Sequence, residues 1–296
     1  MKKNFLSFAI VALAAGMMAS CGNKSANTEG EAADSTAVEE EKMAAMGTWE
    51  YPEGSAIENA EEISCVLYAN SWKRSIDENK DPAAGTHIFY RADLVKAGDP
   101  QSTIKSISDE YDIPNSLIIP IYKNPTAKKG DIVLTWWQSG SGMQRAIVTD
   151  ASNPAEPKID YLDLNFKGDG EGLAEKNADE QLKPNSFVVL KDGEWQPGQT
   201  IVITESTEQL LGTIINIADD KILYEGFAGR VKVAKKADCK LMPLNPGVKA
   251  GDEVKAEFVG KLRPGYTVKS VDAAKGRVAV ERDGNVEYKS FLEVSK

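Results

Sequence analysis

Histidine and cysteine are scarce in this 296-residue chain, which contains one histidine and three cysteines. His87 lies in the segment Gly-Thr-His-Ile-Phe, and no further metal-ligating side chain follows at a usable spacing. This pattern argues against a zinc site, and the lack of a charge-relay pattern around His87 argues against Ser-His or Cys-His hydrolysis. We therefore expect no metal and no cofactor, and no motif indicates a catalytic residue.

Positive charge is also under-represented, with 35 lysines and arginines against 45 acidic residues and a net charge of −10. An acidic protein is repelled by phosphate backbones and gains no affinity from counterion release. The composition therefore argues against nucleic acid as a partner and against charge-driven adsorption to an anionic bilayer.

Long apolar runs are absent after the amino terminus, where the chain begins MKKNFLSFAIVALAAGMMASC. Two lysines precede an apolar segment, 5–18, that is too short for a comfortable membrane span and suits an export signal. The residues before Cys21 resemble the lipobox of bacterial lipoproteins, with Met18 where that family more often has leucine. The resemblance implies a signal peptide over 1–20 and lipid attachment at Cys21. An ordinary secretory signal is the alternative.

The resemblance also implies a location in the cell envelope, with the membrane contacted through the lipid anchor. By the family's sorting rules, Gly22 in place of aspartate implies the outer membrane, and the membrane face stays open. Disulfides persist in this compartment. Cys65 and Cys239 each lie in an apolar context, which favours two separately buried thiols, with a disulfide as the alternative.

We predict that residues 21–46 form a tether. Positions 22–46 contain six acidic residues, two lysines and no aromatic residue. Such a segment buries too little apolar surface to offset the entropy lost on ordering, so we predict a solvated linker. A short helix near 37–46 is the alternative.

Residues 47–125 predict an N-terminal α+β segment. Aromatic and β-branched residues indicate strands at Glu61–Ala69 and His87–Val95, and Pro100–Tyr111 reads as a helix. Ser116–Tyr122 predicts a strand whose proline indicates an edge or a bend.

The remaining chain alternates short apolar stretches with turn residues, which is typical of small antiparallel barrels. A loose repeat indicates three units, at 126–192, 193–245 and 246–296. Each unit opens on a glycine turn that leads into a strand, at Gly130, Gly198 and Gly251. The second and third strands of the units are predicted at 143–149 and 158–163, at 211–217 and 221–224, and at 267–271 and 276–282.

The last unit, GDEVKAEFVGKLRPGYTVKSVDAAKGRVAVERDGNVEYKSFLEV, resembles a Tudor or SH3-like barrel. The fold class predicted is therefore mainly β, with tandem SH3/Tudor-like antiparallel barrels after the α+β segment. The resemblance implies an aromatic ligand cage at the strand ends. Phe258 and Tyr266 match its first two positions, but Val280 and Asp283 stand where further aromatic residues are expected.

In the first barrel, Trp136 and Trp137 end the opening strand and Tyr161 lies on the third strand. Adjacent strand residues point to opposite faces. We predict that Trp136 turns inward and that Trp137 and Tyr161 form an exposed ligand platform beside Asp163. The alternative is that the two tryptophan faces fill the barrel core and cover the neighbouring module. The loop 138–143 lacks the spacing of a phosphate loop or a nucleophile elbow and predicts a hairpin connection.

These observations predict a binding or scaffold module for an envelope protein, a peptide or a glycan. The alternative is an envelope hydrolase that uses a carboxylate pair on cell-wall or other polysaccharide, and a plain spacer is a third possibility. Clustered surface aromatics favour binding, whereas a deep cleft with two desolvated carboxyls about 5 to 10 Å apart favours hydrolysis.

Overall fold

Short antiparallel strands joined by tight turns make up most of the structure, a computed structural model that describes residues 51–52, 54–107, 109–164 and 180–296. The predicted signal peptide 1–20, the lipidation site Cys21 and the tether 21–46 lie outside the described residues. The prediction of a mainly β fold is confirmed.

The first sheet has the strand order β4-β3-β2-β1-β5. Its strands are β1 (Ile63–Ala69), β2 (Phe89–Lys96), β3 (Gln101–Lys105), β4 (Glu110–Pro114) and β5 (Ile118–Tyr122). Helix α1 (Trp72–Asp77) and a 3-10 turn (Pro82–Ala84) connect β1 to β2, and further 3-10 turns lie at Ala60–Glu62 and Asn115–Leu117. Among the described strands, β5 pairs with β1 alone, so its proline stands on an edge strand as predicted.

The predicted helix at Pro100–Tyr111 is wrong, because that segment contributes to the hairpin of β3 and β4. Ser102 and Ile104 are buried while their neighbours are more exposed, which is the two-residue period of a strand. The core under this hairpin includes Ile104 and Ile113, both fully buried.

The second sheet has the order β10-β6-β7-β8-β9, and the third is a ten-stranded sheet. The second contains β6 (Ile132–Trp136), β7 (Met143–Asp150), β8 (Lys158–Tyr161), β9 (Glu180–Gln181) and β10 (Val188–Val189). The third contains β11 (Thr200–Glu205), β12 (Glu208–Ala218), β13 (Lys221–Glu225), β14 (Val231–Lys235), β15 (Cys239–Leu241), β16 (Glu253–Phe258), β17 (Lys261–Asp272), β18 (Arg277–Arg282), β19 (Asn285–Ser290) and β20 (Val294–Ser295). Its 3-10 turns are Phe227–Gly229, Lys236–Asp238 and Phe291–Glu293.

One strand order recurs four times along the chain. In each block of five strands, the first four pair in sequence and the fifth returns to pair with the first, as β5 does with β1 and β20 with β16. A 3-10 turn precedes β5, β15 and β20. The segment expected to be α+β is therefore a further five-stranded unit with one short helix. Over the described ranges, no sheet closes into a barrel.

The glycine turns that open the three predicted units have the same geometry. Gly130, Gly198 and Gly251 each have φ +89°, a conformation that glycine adopts without strain. Each glycine N–H donates to a carbonyl on the second strand of its unit over 2.8 Å. The prediction that each turn leads into a strand is confirmed.

The buried side chains form one large cluster shared by all three sheets and smaller clusters within individual units. Strand β6 contributes to two of them. Leu134 and Trp136 face the shared cluster, whereas Val133 and Trp137 face the core of the second sheet. Alternate residues of one strand thus hold the first sheet against the second.

The cysteines Cys65 and Cys239 are buried and separate, as predicted, and neither forms a disulfide within the described chain. In that same part of the chain, no helix is long and apolar enough to cross a membrane.

Candidate functional site

A cleft of about 800 Å³ lies between the first sheet and the hairpin that joins β6 to β7. Its aromatic wall consists of Tyr68, Tyr90 and Trp136, and we call the space the aromatic cleft. Ligand sites are typically concave spaces of this size, with aromatic lining and a few polar groups that fix orientation.

The strand pairing of the first sheet positions the two tyrosines of this wall. Tyr68 on β1 is directly opposite Tyr90 on β2, so the two side chains lie on one face. The ring of Tyr111 meets that of Tyr68 edge to face, with the centroids 6.2 Å apart. Burial raises the pKa of Tyr111 above its usual range, and a hydrogen bond with Tyr68 adds to the effect.

A second space of about 690 Å³ shares Tyr68 and Tyr90 with the aromatic cleft and extends to Tyr111 and helix α1. Lys73 of α1 stands over the Tyr111 ring, with its Nζ 5.9 Å from the centroid. Because they share these residues, the two spaces form one continuous groove.

The hairpin that carries Trp136 is held by hydrogen bonds to a buried tyrosine. The Tyr161 hydroxyl donates to the Trp136 carbonyl over 3.3 Å and accepts from the Gln138 N–H over 3.1 Å. The Trp137 N–H donates to the Gly142 carbonyl over 2.9 Å and closes the loop. The expectation of a hairpin connection at 138–143 is confirmed.

The predicted exposed platform of Trp137 and Tyr161 is wrong. Tyr161 is fully buried, and Trp137 packs against the same core. The two tryptophans do point to opposite faces, but Trp136 is the one that reaches a ligand-accessible space. The reason is that β6 lies between two cores. The face of β6 that points away from the core of the second sheet carries Trp136 and forms a wall of the aromatic cleft.

The cage implied for the last unit is also not formed. Tyr266 is 1% exposed and belongs to the core of that unit, where the Arg282 guanidinium covers its ring at 5.4 Å. Phe258 is 51% exposed at the other end of β16, whose Val254 pairs with Tyr266. Four residues of strand, about 13 Å, therefore separate the two aromatic positions.

Charged residues line the groove, and those that form ion pairs are exposed. Arg91 pairs with Asp93 beside the aromatic wall, and Lys73 pairs with Asp77 on α1. Paired, solvated carboxylates differ from the desolvated pair that glycoside hydrolysis requires. In the described ranges, no group of three or more histidine, cysteine or acidic side chains is arranged to hold a metal ion.

The desolvated charges lie elsewhere, between the second and third sheets. Arg145 is buried and contacts Asp163 through Nη2 at 2.6 Å, and its Nη1 donates to the Thr200 hydroxyl over 2.5 Å. Burial raises the pKa of Glu225 to about 7, with the charge of Asp163 adding to this and Arg145 opposing it. Burial also lowers the pKa of Arg277 to about 10. Both arginines stay protonated at neutral pH, and their hydrogen bonds link the second sheet to the third.

The sequence reasoning missed Tyr68, Tyr90 and Tyr111 as site residues. Their strands offered a signal, because a tyrosine keeps a polar hydroxyl that favours the rim of a cleft over a closed core. Which strands face each other across the cleft is a tertiary fact, however, and no local pattern carries it. Comparison of the sequence with protein-family models and with curated proteins finds no match.

Proposed function

We propose that this protein is an envelope binding module, anchored by a lipid at Cys21, that holds a glycan chain in the aromatic cleft. The observation that carries the proposal is the wall of Tyr68, Tyr90 and Trp136 in a groove of two joined spaces. Aromatic faces stack on the apolar faces of sugar rings, and the flanking Arg91 and Asp93 offer donors and acceptors for hydroxyl groups.

Binding is favoured over hydrolysis because of the state of the acidic groups. The groove's ion-paired carboxylates are solvated, and Asp163 pairs with the buried Arg145 away from the aromatic wall. A general acid for glycoside cleavage needs a carboxyl with a raised pKa beside the sugar. Glu225, whose pKa is raised, does not line the groove.

The four five-stranded units are proposed to be small SH3/Tudor-like barrels. Support comes from the strand order, in which the fifth strand returns to the first, and from the 3-10 turn that precedes β5, β15 and β20. In this proposal the aromatic cleft is formed between two neighbouring barrels rather than at the ligand cage of either one.

The test is a fluorescence titration of the protein without residues 1–21, using soluble cell-wall glycan fragments and, separately, a mixture of envelope-derived peptides. Trp136→Ala and Tyr90→Ala should each weaken glycan binding by about tenfold or more, because each removes a stacking surface. Phe258→Ala is the matched control, since it removes an exposed aromatic side chain outside the cleft.

Unchanged glycan affinity in both cleft variants would overturn the site. Binding of the peptides alone, with loss in the same variants, would keep the site and replace the glycan by a peptide. Circular dichroism of each variant separates a loss of binding from a loss of folding.

A further inference from the structure

Two residues with unusual backbone conformations lie together on the third sheet, away from the aromatic cleft. Nine non-glycine residues of the described chain have positive φ. Six of them are asparagine or aspartate, the types that tolerate this conformation well among non-glycine residues, and one is serine: Asn59, Asn79, Asn124, Asn185, Asp219, Asp283 and Ser206. The two apolar exceptions, Ala228 and Val259, line the same groove.

This groove, of about 400 Å³, lies between the turn after β13 and the turn between β16 and β17. Its walls include Phe227, which is 60% exposed, and Val259, which is 53% exposed. Leu210, Leu211 and Tyr224 also line the groove, so the space is mostly apolar. We call it the apolar groove.

Stability does not explain Val259. A β-branched residue with positive φ is strained because its Cβ crowds the backbone, and an exposed side chain gains little from burial in return. Asparagine or glycine would fit the turn better. Strain that the fold does not require is characteristic of functional positions.

The two turns are held firmly. A Cβ on Gly260 would lie 2.5 Å from the Phe227 Cβ, so only glycine allows this approach. The Leu211 N–H donates to the Gly260 carbonyl over 2.9 Å, and the His87 N–H donates to the Gly229 carbonyl over 2.8 Å. The apolar side chains are thus presented by a preorganised frame, which lowers the entropic cost of binding.

The rim of the apolar groove is cationic, although the chain as a whole is acidic at −10. Arg230, Lys232 and Lys261 line it, and none of its lining residues is acidic. Lys261 pairs with Glu208, whereas Arg230 and Lys232 are exposed and form no ion pair with another described residue. Such a rim complements negative charge.

We propose that the apolar groove docks an acidic peptide of a partner protein, with one large apolar side chain of the peptide inserted between Phe227 and Val259. The peptide's carboxylates then face Arg230 and Lys232. This site is independent of the glycan site, because it shares no residue with the aromatic cleft.

The probe is a fluorescein-labelled pentapeptide with a central phenylalanine and two acidic residues on each side, followed by fluorescence anisotropy. Val259→Asn should raise the urea midpoint of unfolding, because it relieves the backbone strain, and should weaken peptide binding at least fivefold, because it removes an apolar wall. A merely structural Val259 predicts unchanged binding. Arg230→Glu should weaken binding about tenfold, and Lys240→Glu, an exposed lysine on β15, is the control and should leave it unchanged.

Two further peptides sharpen the result. A peptide with central alanine should bind at least fivefold more weakly, and one flanked by lysines should not bind. The proposal is overturned if the acidic peptide does not bind the native protein, if the lysine-flanked peptide binds equally well, or if Val259→Asn and Arg230→Glu bind it as the native protein does.

Discussion

Glu225→Gln should make the protein more stable at alkaline pH. Burial and the nearby charge of Asp163 raise the pKa of Glu225 to about 7 from the ordinary 4.5 of a glutamate, while Arg145 opposes the shift. The folded state therefore holds this proton more tightly than the unfolded chain does. The resulting stabilisation is fully present below pH 4.5 and is lost as the pH rises through 7.

The size of the effect follows from the two pKa values. The interval from 4.5 to about 7 corresponds to about 3 kcal/mol at about 1.4 kcal/mol for each pH unit. Partial exposure of Glu225 reduces this figure, so a loss of about 2 kcal/mol between pH 4.5 and pH 8 is expected. Glutamine carries no charge at either pH, so the free energy of unfolding of the variant should not show this decrease.

Urea unfolding of both proteins at pH 5, 6.5 and 8 measures the difference. We expect the stability difference between the variant and the native protein to move in favour of the variant by about 2 kcal/mol from pH 5 to pH 8. Glu205→Gln, which changes an exposed glutamate on β11, is the control. Its free energy of unfolding should change with pH as that of the native protein does. Parallel curves for Glu225→Gln as well would refute the reasoning that burial holds this proton.

Three other substitutions test separate features of the protein. Tyr161→Ala should cost about 3 to 5 kcal/mol of unfolding free energy, because it empties a fully buried site; a cost below about 1 kcal/mol in urea unfolding would contradict that placement. Gly140→Ala should change the near-ultraviolet circular dichroism and weaken glycan binding, because its Cβ would lie 2.4 Å from the Trp137 ring; unchanged spectra and affinity would argue against the tight loop. Cys21→Ala should release the protein from membranes in cell fractionation, and retention there would refute lipid anchoring.

The strands could be predicted from the sequence where a two-residue period stands between clear turn residues. The hairpins of the last three units follow this pattern, and the glycine turns at Gly130 and Gly251 mark where two of the units begin. The helix predicted at Pro100–Tyr111 failed because Ile104, Ile107 and Tyr111 also fit a helical period. In the structure Ile104 is buried and Ile107 is fully exposed, which only a strand and turn reconcile.

The candidate site could be predicted only in part. Strand alternation correctly separated Trp136 from Trp137, but it did not tell which face meets solvent, because that depends on the neighbouring unit. The buried Arg145 and the half-buried Glu225 were not anticipated, since a charged residue in a strand is expected to be exposed unless its partner on another sheet is known. Local patterns specify the units, and contacts between the units create the cleft.

Arg277 has a consequence for how this chain can be rearranged. From the last unit it reaches the second sheet, where its Nη1 donates to the Leu162 carbonyl over 3.0 Å and its Nη2 to the Tyr161 carbonyl. A chain that ends before residue 246 would lack Arg277. The carbonyls of Tyr161 and Leu162, which belong to an earlier unit, would then lose this donor. Exchange of the last unit for another five-stranded unit would remove Arg277 in the same way, so we expect such recombinants to be destabilised.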